Sequence, residues 1–310
     1  MTPAPQVSIL IVNWNTKDLV LQCLDALPRA ADGIRYEAIV VDNGSVDGSA
    51  AALADRTDIV LMQNDENRGF AAAVNQAYRA SSGEFILLLN SDVELTHDAL
   101  AALVRFLEAR PSVAGSAPLY LNPDGSPQPF HFRLPTFRTM LMNGSSVFRR
   151  LIPGSDRSLR EYRMLDVDFS EPREVEQPSA SCLLLRRSAL DPDSVFDERY
   201  PIFFNDVQFA RWLKARGGSM WVTPEARVLH EAHSSGRKLG SSAGRRVYIG
   251  SLIRMLEETE PPYKVWLYRA VVLVQNLYLA AARAPHALVG RDLLAALSGD
   301  PGSLPRQPSR

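Results

Sequence analysis

The sequence predicts an α/β fold with a mostly parallel, doubly wound sheet. Three observations lead there. Short apolar runs alternate with segments of helical periodicity four times in the first 112 residues, the pattern of repeated strand–helix units. The run Phe85-Ile86-Leu87-Leu88-Leu89 is continuously apolar, as suits a strand buried on both faces. Finally, the runs at residues 7–12, 38–41 and 85–89 each stop at a polar cluster, beginning at Asn13, Asp42 and Asn90. In a parallel sheet those strand ends share one edge, where open α/β sheets bind their ligands.

Residues 7–12 form the first expected strand, and residues 19–27 a helix expected to end before Pro28. The second strand, 38–41, is rich in β-branched residues. It runs into a loop dense in Asp, Asn, Gly and Ser, whose last residue, Ser49, is placed to cap an alanine-rich helix. A third strand is expected at 59–62, a polar loop at 64–69 and a helix at 70–80, with Ala71, Val74 and Tyr78 at helical spacing. After the 85–89 strand, Thr96 can cap a helix at 98–109 that Pro111 closes.

The middle of the chain is less regular. Asn122-Pro123-Asp124-Gly125 is a turn signal. Residues 131–163 hold Arg133, Arg138, Arg149, Arg150, Arg157, Arg160 and Arg163 against Asp156 and Glu161. This reads as a solvated loop, or as a mobile basic segment facing an anionic acceptor or lipid headgroups. A strand is expected at 181–187, a helix at 205–216 ended by Gly217-Gly218, and two short strands at 220–222 and 226–229, the second running into His230. In the tail, Lys264, Arg269, Gln275, Asn276 and Arg283 fall within an arc of roughly 140° on a helix. That amphipathic helix is expected either to pack on the preceding domain or to lie in a membrane interface. Residues 301–310 read as a disordered end.

Bulk properties narrow the function. Thirty-four basic residues against 35 acidic ones leave a net charge of -1, which gives no global electrostatic case for nucleic acid. Cys23 and Cys182 form no CxxC pair, so neither a structural zinc site nor a disulfide framework is expected, and a reducing compartment fits. The N-terminus lacks the basic region of a signal peptide, and no uninterrupted apolar stretch is long enough to span a membrane.

The segments VSILIVNWN, IVVDNGSVDGS, DENRGFAAAVNQA, FILLLNSDVEL, LNPDGSPQP, SASCLLLRRSAL, FDERYPIFFNDVQFARWLKARG and VTPEARVLHEAHSSGR follow one another over residues 7–237. In that order they resemble the inverting GT-A glycosyltransferases, in particular the rhamnosyltransferase-like branch of the family that includes cellulose and chitin synthases. The resemblance implies a GT-A catalytic domain over residues 1–240, with a nucleotide-sugar half (1–112) and an acceptor half (113–240). A helical, amphipathic extension would follow over 241–310.

It also implies roles, which residue chemistry supports to different degrees. Asp42 would accept the N3 proton of a pyrimidine base, with Asn13 and Asn15 lining that pocket and Asn43 beside it; an Asx turn ordering the loop is the alternative. Arg68, next to Gly69, could pair with a phosphate or be a solvated arginine. Asp92 matches the second acid of the family's DxD-type motif and would hold Mn²⁺ or Mg²⁺ against a diphosphate. The first acid of that motif is replaced by Asn90, read as a sugar contact, with Ser91 between them. His230 matches the family's C-terminal metal-binding histidine, and His233, Ser235 and Arg237 would follow in a loop closing over the diphosphate.

Asp206 matches the acid of the Glu-Asp motif, the expected general base. It stands at a helix N-terminus, where the dipole favours the ionised form. Asn205 replaces the usual Glu, which leaves open an altered or inactive enzyme. The expected reaction moves a sugar, foremost rhamnose from dTDP-rhamnose and next a sugar from a UDP donor, to a hydroxyl of a cell-envelope glycan or polyprenyl-linked saccharide. The place would be the cytoplasm, at the inner face of the cytoplasmic membrane. A sugar nucleotidyltransferase is the alternative from another class, but it would want a glycine-rich phosphate loop after the first strand, and Asn13-Trp14-Asn15-Thr16 is not one.

Overall fold

The computed structural model describes residues 4–144, 146–231, 241–282, 284, 287–302 and 304, apart from the side chains of 146, 147 and 241. The N-terminal part follows the expected alternation: β1 (Val7–Asn13), α1 (Lys17–Ala31), β2 (Tyr36–Asn43), α2 (Ser49–Ala54), β3 (Val60–Asn64), α3 (Phe70–Ala80), β4 (Phe85–Asn90), β5 (Val93–Leu95) and α4 (Ala99–Glu108). Then come β6 (Gly115–Leu121), β7 (His131–Phe132), α5 (Phe137–Gly144), α6 (Ser146–Leu151), α7 (Ser155–Tyr162), β8 (Arg173–Val175), β9 (Gln177–Pro178) and β10 (Cys182–Arg186). The chain continues through α8 (Asn205–Ala215), β11 (Met220–His230), α9 (Ser241–Thr259), α10 (Pro262–Ala281) and α11 (Gly290–Leu297).

Among the described residues one large sheet runs in the order β3-β2-β1-β4-β10-β6-β11-β5, with β8 also on β11. Strands β3, β2, β1 and β4 are mutually parallel. β10 inserts antiparallel between β4 and β6, so the sheet is mixed beyond its first half. β4 explains its own composition. Phe85, Leu87 and Leu89 enter the core beneath α1 and α4, whereas Ile86 and Leu88 enter the core beneath α3 and α8. A strand covered on both faces has no polar side to alternate with.

Several boundaries differ from the sequence expectation. α1 runs through Pro28 instead of stopping before it. Ala30 and Ala31 beyond the proline are buried, and their packing outweighs the lost backbone bond. The two short strands expected at 220–222 and 226–229 are one strand, β11, whose pairing with β6 shifts register between Thr223 and Arg227. Pro224 lies in that gap, where no ladder N–H is required. Residues 137–162 are not a loop: they fold into α5, α6 and α7, pinned by buried Met140, Leu141 and Leu159. Ser49 does not cap α2 from outside but begins it, its N–H and hydroxyl both donating to Asp47. The C-terminal helices share a third core with Met140, Leu141, Tyr200, Phe204 and Val207. Cys23 and Cys182 are buried and form no disulfide, and burial pushes the Cys23 thiol up to about 12.

Candidate active site

At the carboxyl edge of β1, β2 and β4 lies a cavity of about 320 Å³. Its polar wall holds Asn43, Asn67, Asn90, Ser91, Asp92, Ser179, Ser181, Asn205, Asp206 and His230; its apolar wall holds Trp14, Phe70, Phe130, Phe203 and Phe204. Residues scattered from the first strand to β11 therefore meet at one strand-end edge.

Asp92 follows β4 in the turn to β5 and is 9% exposed. Antiparallel pairing of β5 with β11 sets Val93 opposite His230, and the N–H of Glu231 donates to the carbonyl of Asp92 at 3.0 Å. That register brings His230 Nε2 to 3.9 Å from Asp92 Oδ1, with both side chains almost wholly buried. Gln128 fixes the imidazole. Its Nε2 donates to Asn122 Oδ1 (2.9 Å) and to the His230 carbonyl (3.4 Å), so its Oε1 is left to accept from His230 Nδ1 at 2.7 Å. Held this way, the ring donates from Nδ1 and turns its Nε2 toward the carboxylate. Phe130 packs edge-on against the ring, with centroids 4.5 Å apart.

Asn90 ties β4 to the turn before β10: its N–H donates to the Ser181 carbonyl at 2.8 Å and its Nδ2 to Ser181 Oγ at 3.1 Å. Its Oδ1 is buried and finds no donor among the described residues. Ser91 Oγ lies 2.8 Å from Thr16 Oγ1. Thr16 spends its proton on Asn13 Oδ1 at 2.7 Å, so Ser91 is the donor.

Asp206 lies in the first turn of α8 and is half-buried. Its Oδ2 accepts from Gln177 Nε2 at 3.1 Å, and its Oδ1 from the Val207 N–H at 2.8 Å. Burial pushes its carboxyl above the usual aspartate range, outweighing these donors. The helix-terminus effect expected from the sequence acts in the opposite direction and does not prevail. Asn205 Nδ2 donates to the Ile202 carbonyl at 2.8 Å, and Phe204 between them has φ +67°. The Asn205 amide thus holds the turn that presents Asp206.

Asn13, Asn15 and Asp42, the residues expected to line a base pocket, lie behind this cavity. Asn13 Nδ2 donates to Asp42 Oδ1 at 2.7 Å, and the Ser45 N–H to Asp42 Oδ2 at 3.2 Å; both side chains are 2% exposed or less. Asn15 sits at φ +56°, with its Oδ1 accepting from the Val46 N–H at 2.8 Å. These residues form the Asx-type network that orders the loop, and they do not line the cavity. Asn43 is the hub beside it. Its Nδ2 donates to Asn67 Oδ1 and the Gly69 carbonyl, while its Oδ1 accepts from Asn64 Nδ2 and the Arg68 N–H. Gly69 has φ +91°, and a Cβ there would lie 2.9 Å from the Pro201 carbonyl oxygen, so the position admits no side chain without movement. The Arg68 side chain lines a different hollow, with Glu66, Glu198, Arg199 and Arg254. Glu94, on β5, pairs with Leu229 and not with the Asp92–His230 pair. His233, Ser235 and Arg237 lie outside the described residues.

Sequence reasoning missed Gln128, Gln177, Ser179, Ser181 and Phe130. Gln128 lies inside a quoted motif and Phe130 just after it, but nothing local signals that they reach His230.

Residues 8–191 match the protein family described as Glycosyl transferase family 2. The chain is also 31% identical over 212 residues to the N-acetylglucosaminyl-diphospho-decaprenol L-rhamnosyltransferase of Mycobacterium tuberculosis, covering 64% of this chain and 68% of that one. It belongs to glycosyl transferase family 2. This family 2 glycosyltransferase is 23% identical over 249 residues to the rhamnosyltransferase WbbL of Escherichia coli, covering 77% of this chain and 88% of that one. Among solved structures, it shares its fold with a Pyrobaculum calidifontis mannosyltransferase in complex with GDP-Man and Mn²⁺ (TM-score 0.53, 17% identity, 96% of this chain and 86% of that one). It also shares it with GalNAc-T7 bound to UDP, GalNAc and Mn²⁺ (TM-score 0.58, 16% identity, 81% of this chain and 48% of that one). The GT-A type of α/β fold and the rhamnosyltransferase-like branch read from the sequence are both supported, and the nucleotidyltransferase alternative falls away.

Proposed function

We propose that this glycosyltransferase carries out a metal-dependent, inverting transfer of rhamnose, from dTDP-rhamnose, to a hydroxyl of a polyprenyl-diphosphate-linked saccharide in cell-envelope synthesis. Support for the sugar and acceptor comes from the relatives named for rhamnosyl transfer, one of them to a decaprenol-linked saccharide. The observation that carries the mechanism is that Asp206 and the Asp92–His230 pair face one cavity.

The described lining of that cavity contains two carboxylates and neither Lys nor Arg. A diphosphate entering it meets net negative charge, so a divalent cation is the natural bridge. Asp92 and His230, a buried carboxylate beside an imidazole, would hold Mn²⁺ or Mg²⁺ there. Among the described residues no third His, Cys, Asp or Glu joins them. When bound, such a cation supplies Lewis-acid stabilisation of the departing diphosphate.

The chain's own groups do the rest. Asp206 accepts the acceptor hydroxyl proton while the oxygen attacks the anomeric carbon. The bond from that carbon to the diphosphate oxygen breaks, and its electron pair leaves with the nucleotide. Attack from the face opposite the leaving group inverts the anomeric centre. Gln177 and the Val207 N–H aim the carboxylate, and its raised pKa makes it a stronger base than an exposed aspartate. Asn90, with its buried Oδ1 lacking a donor among the described residues, is placed to accept from a sugar hydroxyl.

Incubation with a panel of nucleotide sugars and a polyprenyl-diphosphate saccharide, with and without Mn²⁺, tests this reading. The expected product is rhamnosylated, metal-dependent and of inverted anomeric configuration by NMR. Retained configuration, or undiminished transfer in chelator, contradicts it.

A further inference from the structure

Helix α10 turns an apolar face to solvent. Tyr263 (69% exposed), Trp266 (66%), Leu267 (48%), Val274 (66%), Leu277 (60%) and Tyr278 (74%) lie on it. At ~100° per residue, these positions fall within one continuous arc of roughly 120°, extending about 22 Å along the axis. Every exposed residue of this helix is apolar or Tyr. Soluble proteins rarely leave a contiguous patch of this kind bare without a use for it.

The helix cannot roll to hide that face, because its polar side chains are engaged elsewhere. Lys264 pairs with Glu260 at 2.7 Å, and Arg269 Nε donates to the Leu297 carbonyl at 2.7 Å. Gln275 Nε2 donates to the Gly144 carbonyl at 3.2 Å, and buried Asn276 Oδ1 accepts from the Leu288 N–H at 2.8 Å. The polar arc seen in the sequence is therefore the side that docks, and the apolar arc is the side left out.

What adjoins this helix, along the Lys264 and Gln275 side that borders the apolar face, points to its partner. Gly144 ends α5, and Lys264 Nζ sits 5.6 Å from the Phe137 ring centroid at the start of α5. From there to the end of α7 and the residue after it, the chain carries exposed Arg138, Arg149, Arg150, Arg157, Arg160 and Arg163 against Asp156 and Glu161. An apolar face carrying Trp and Tyr, next to a cationic segment, complements an anionic bilayer: rings at the headgroup boundary, arginines on the headgroups. No helix among the described residues is long and apolar enough to cross a membrane, so the contact would lie on the surface.

We propose that the exposed face of α10 seats on the surface of an anionic lipid bilayer, with the α5–α7 arginines engaging its headgroups. This deepens the proposed function, since a lipid-linked acceptor would sit in that bilayer, but it can be measured without any substrate. The full chain is sedimented with vesicles of phosphatidylglycerol and phosphatidylcholine, or of phosphatidylcholine alone. The variants are Trp266→Glu with Leu277→Glu, and Arg150→Glu with Arg160→Glu, each checked for an unchanged melting curve.

The wild type is expected to bind the anionic vesicles at least tenfold more tightly, and less so as salt rises. The apolar pair of substitutions abolishes binding, and the arginine pair weakens binding to the anionic vesicles alone. Absence of wild-type binding, or binding that survives Trp266→Glu with Leu277→Glu, overturns the proposal. So does a wild-type dimer that ignores vesicles and that the apolar variant dissociates, which assigns the face to a second copy. A chain that binds vesicles but transfers no sugar refutes the proposed function alone; transfer to a soluble acceptor without vesicle binding refutes this inference alone.

Discussion

Asp206 is held by opposing influences: burial raises its pKa, and the donors from Gln177 and Val207 lower it. Because the base acts only when ionised, the acid limb of the rate profile is expected above the ordinary aspartate range; a limb at the value of a free carboxylate would show that the group is not the base. The same shift has a stability consequence. A carboxyl with a raised folded pKa contributes stability that is present below its unfolded value and lost as pH rises through the folded one. Asp206→Asn should therefore melt at the same temperature as the wild type or higher near neutral pH, and the difference should shrink in acid. For Asp92 and His230, the pair proposed to hold the metal, Gln128→Leu removes the acceptor that orients His230. Mn²⁺ affinity by calorimetry should fall ~10–100-fold, with the melting temperature little changed. The sequence pointed to Asp92, Asp206 and His230 through the motifs of the resemblance, and each lies at or beside the end of a regular element, where periodicity marks its place. Gln128 and Gln177 were not legible there, because only tertiary pairing brings them to the residues they orient.

At the scale of elements, β4 carries the sheet. Leu88 is fully buried between helices and neighbouring strands, and Leu88→Ala should cost about 2–5 kcal/mol in denaturant melts. A loss below ~1 kcal/mol would mean that the strand is less well packed than its burial indicates. The run of five apolar residues announced this strand, and Phe70–Ala80 matched its predicted helix end to end. Elements were misread where local signals conflict with packing. Pro28 signals a helix end, yet Ala30 and Ala31 have a core to enter. The arginines of residues 131–163 signal a loop, while the Met140, Leu141 and Leu159 that pin the helices are sparse between them. The antiparallel insertion of β10 leaves no trace in its own sequence, since a buried strand reads alike in either direction.

For the whole molecule, the third core joins α9–α11 to Tyr200, Phe204 and Val207, next to Asp206. The C-terminal extension, for which packing on the preceding domain was one of two sequence expectations, is thus packed against the turn that presents Asp206. Ending the chain after residue 240 should lower the melting temperature and the transfer rate together; a truncated chain that is stable and fully active would show the helices to be dispensable. In the proposed mechanism one cavity joins a diphosphate site to a carboxylate base. The most direct test measures Asp206→Asn twice, for transfer rate and for affinity toward the nucleotide sugar with Mn²⁺. Transfer should fall at least ~10²-fold while affinity stays within a few-fold of the wild type; undiminished turnover in that variant would contradict the account.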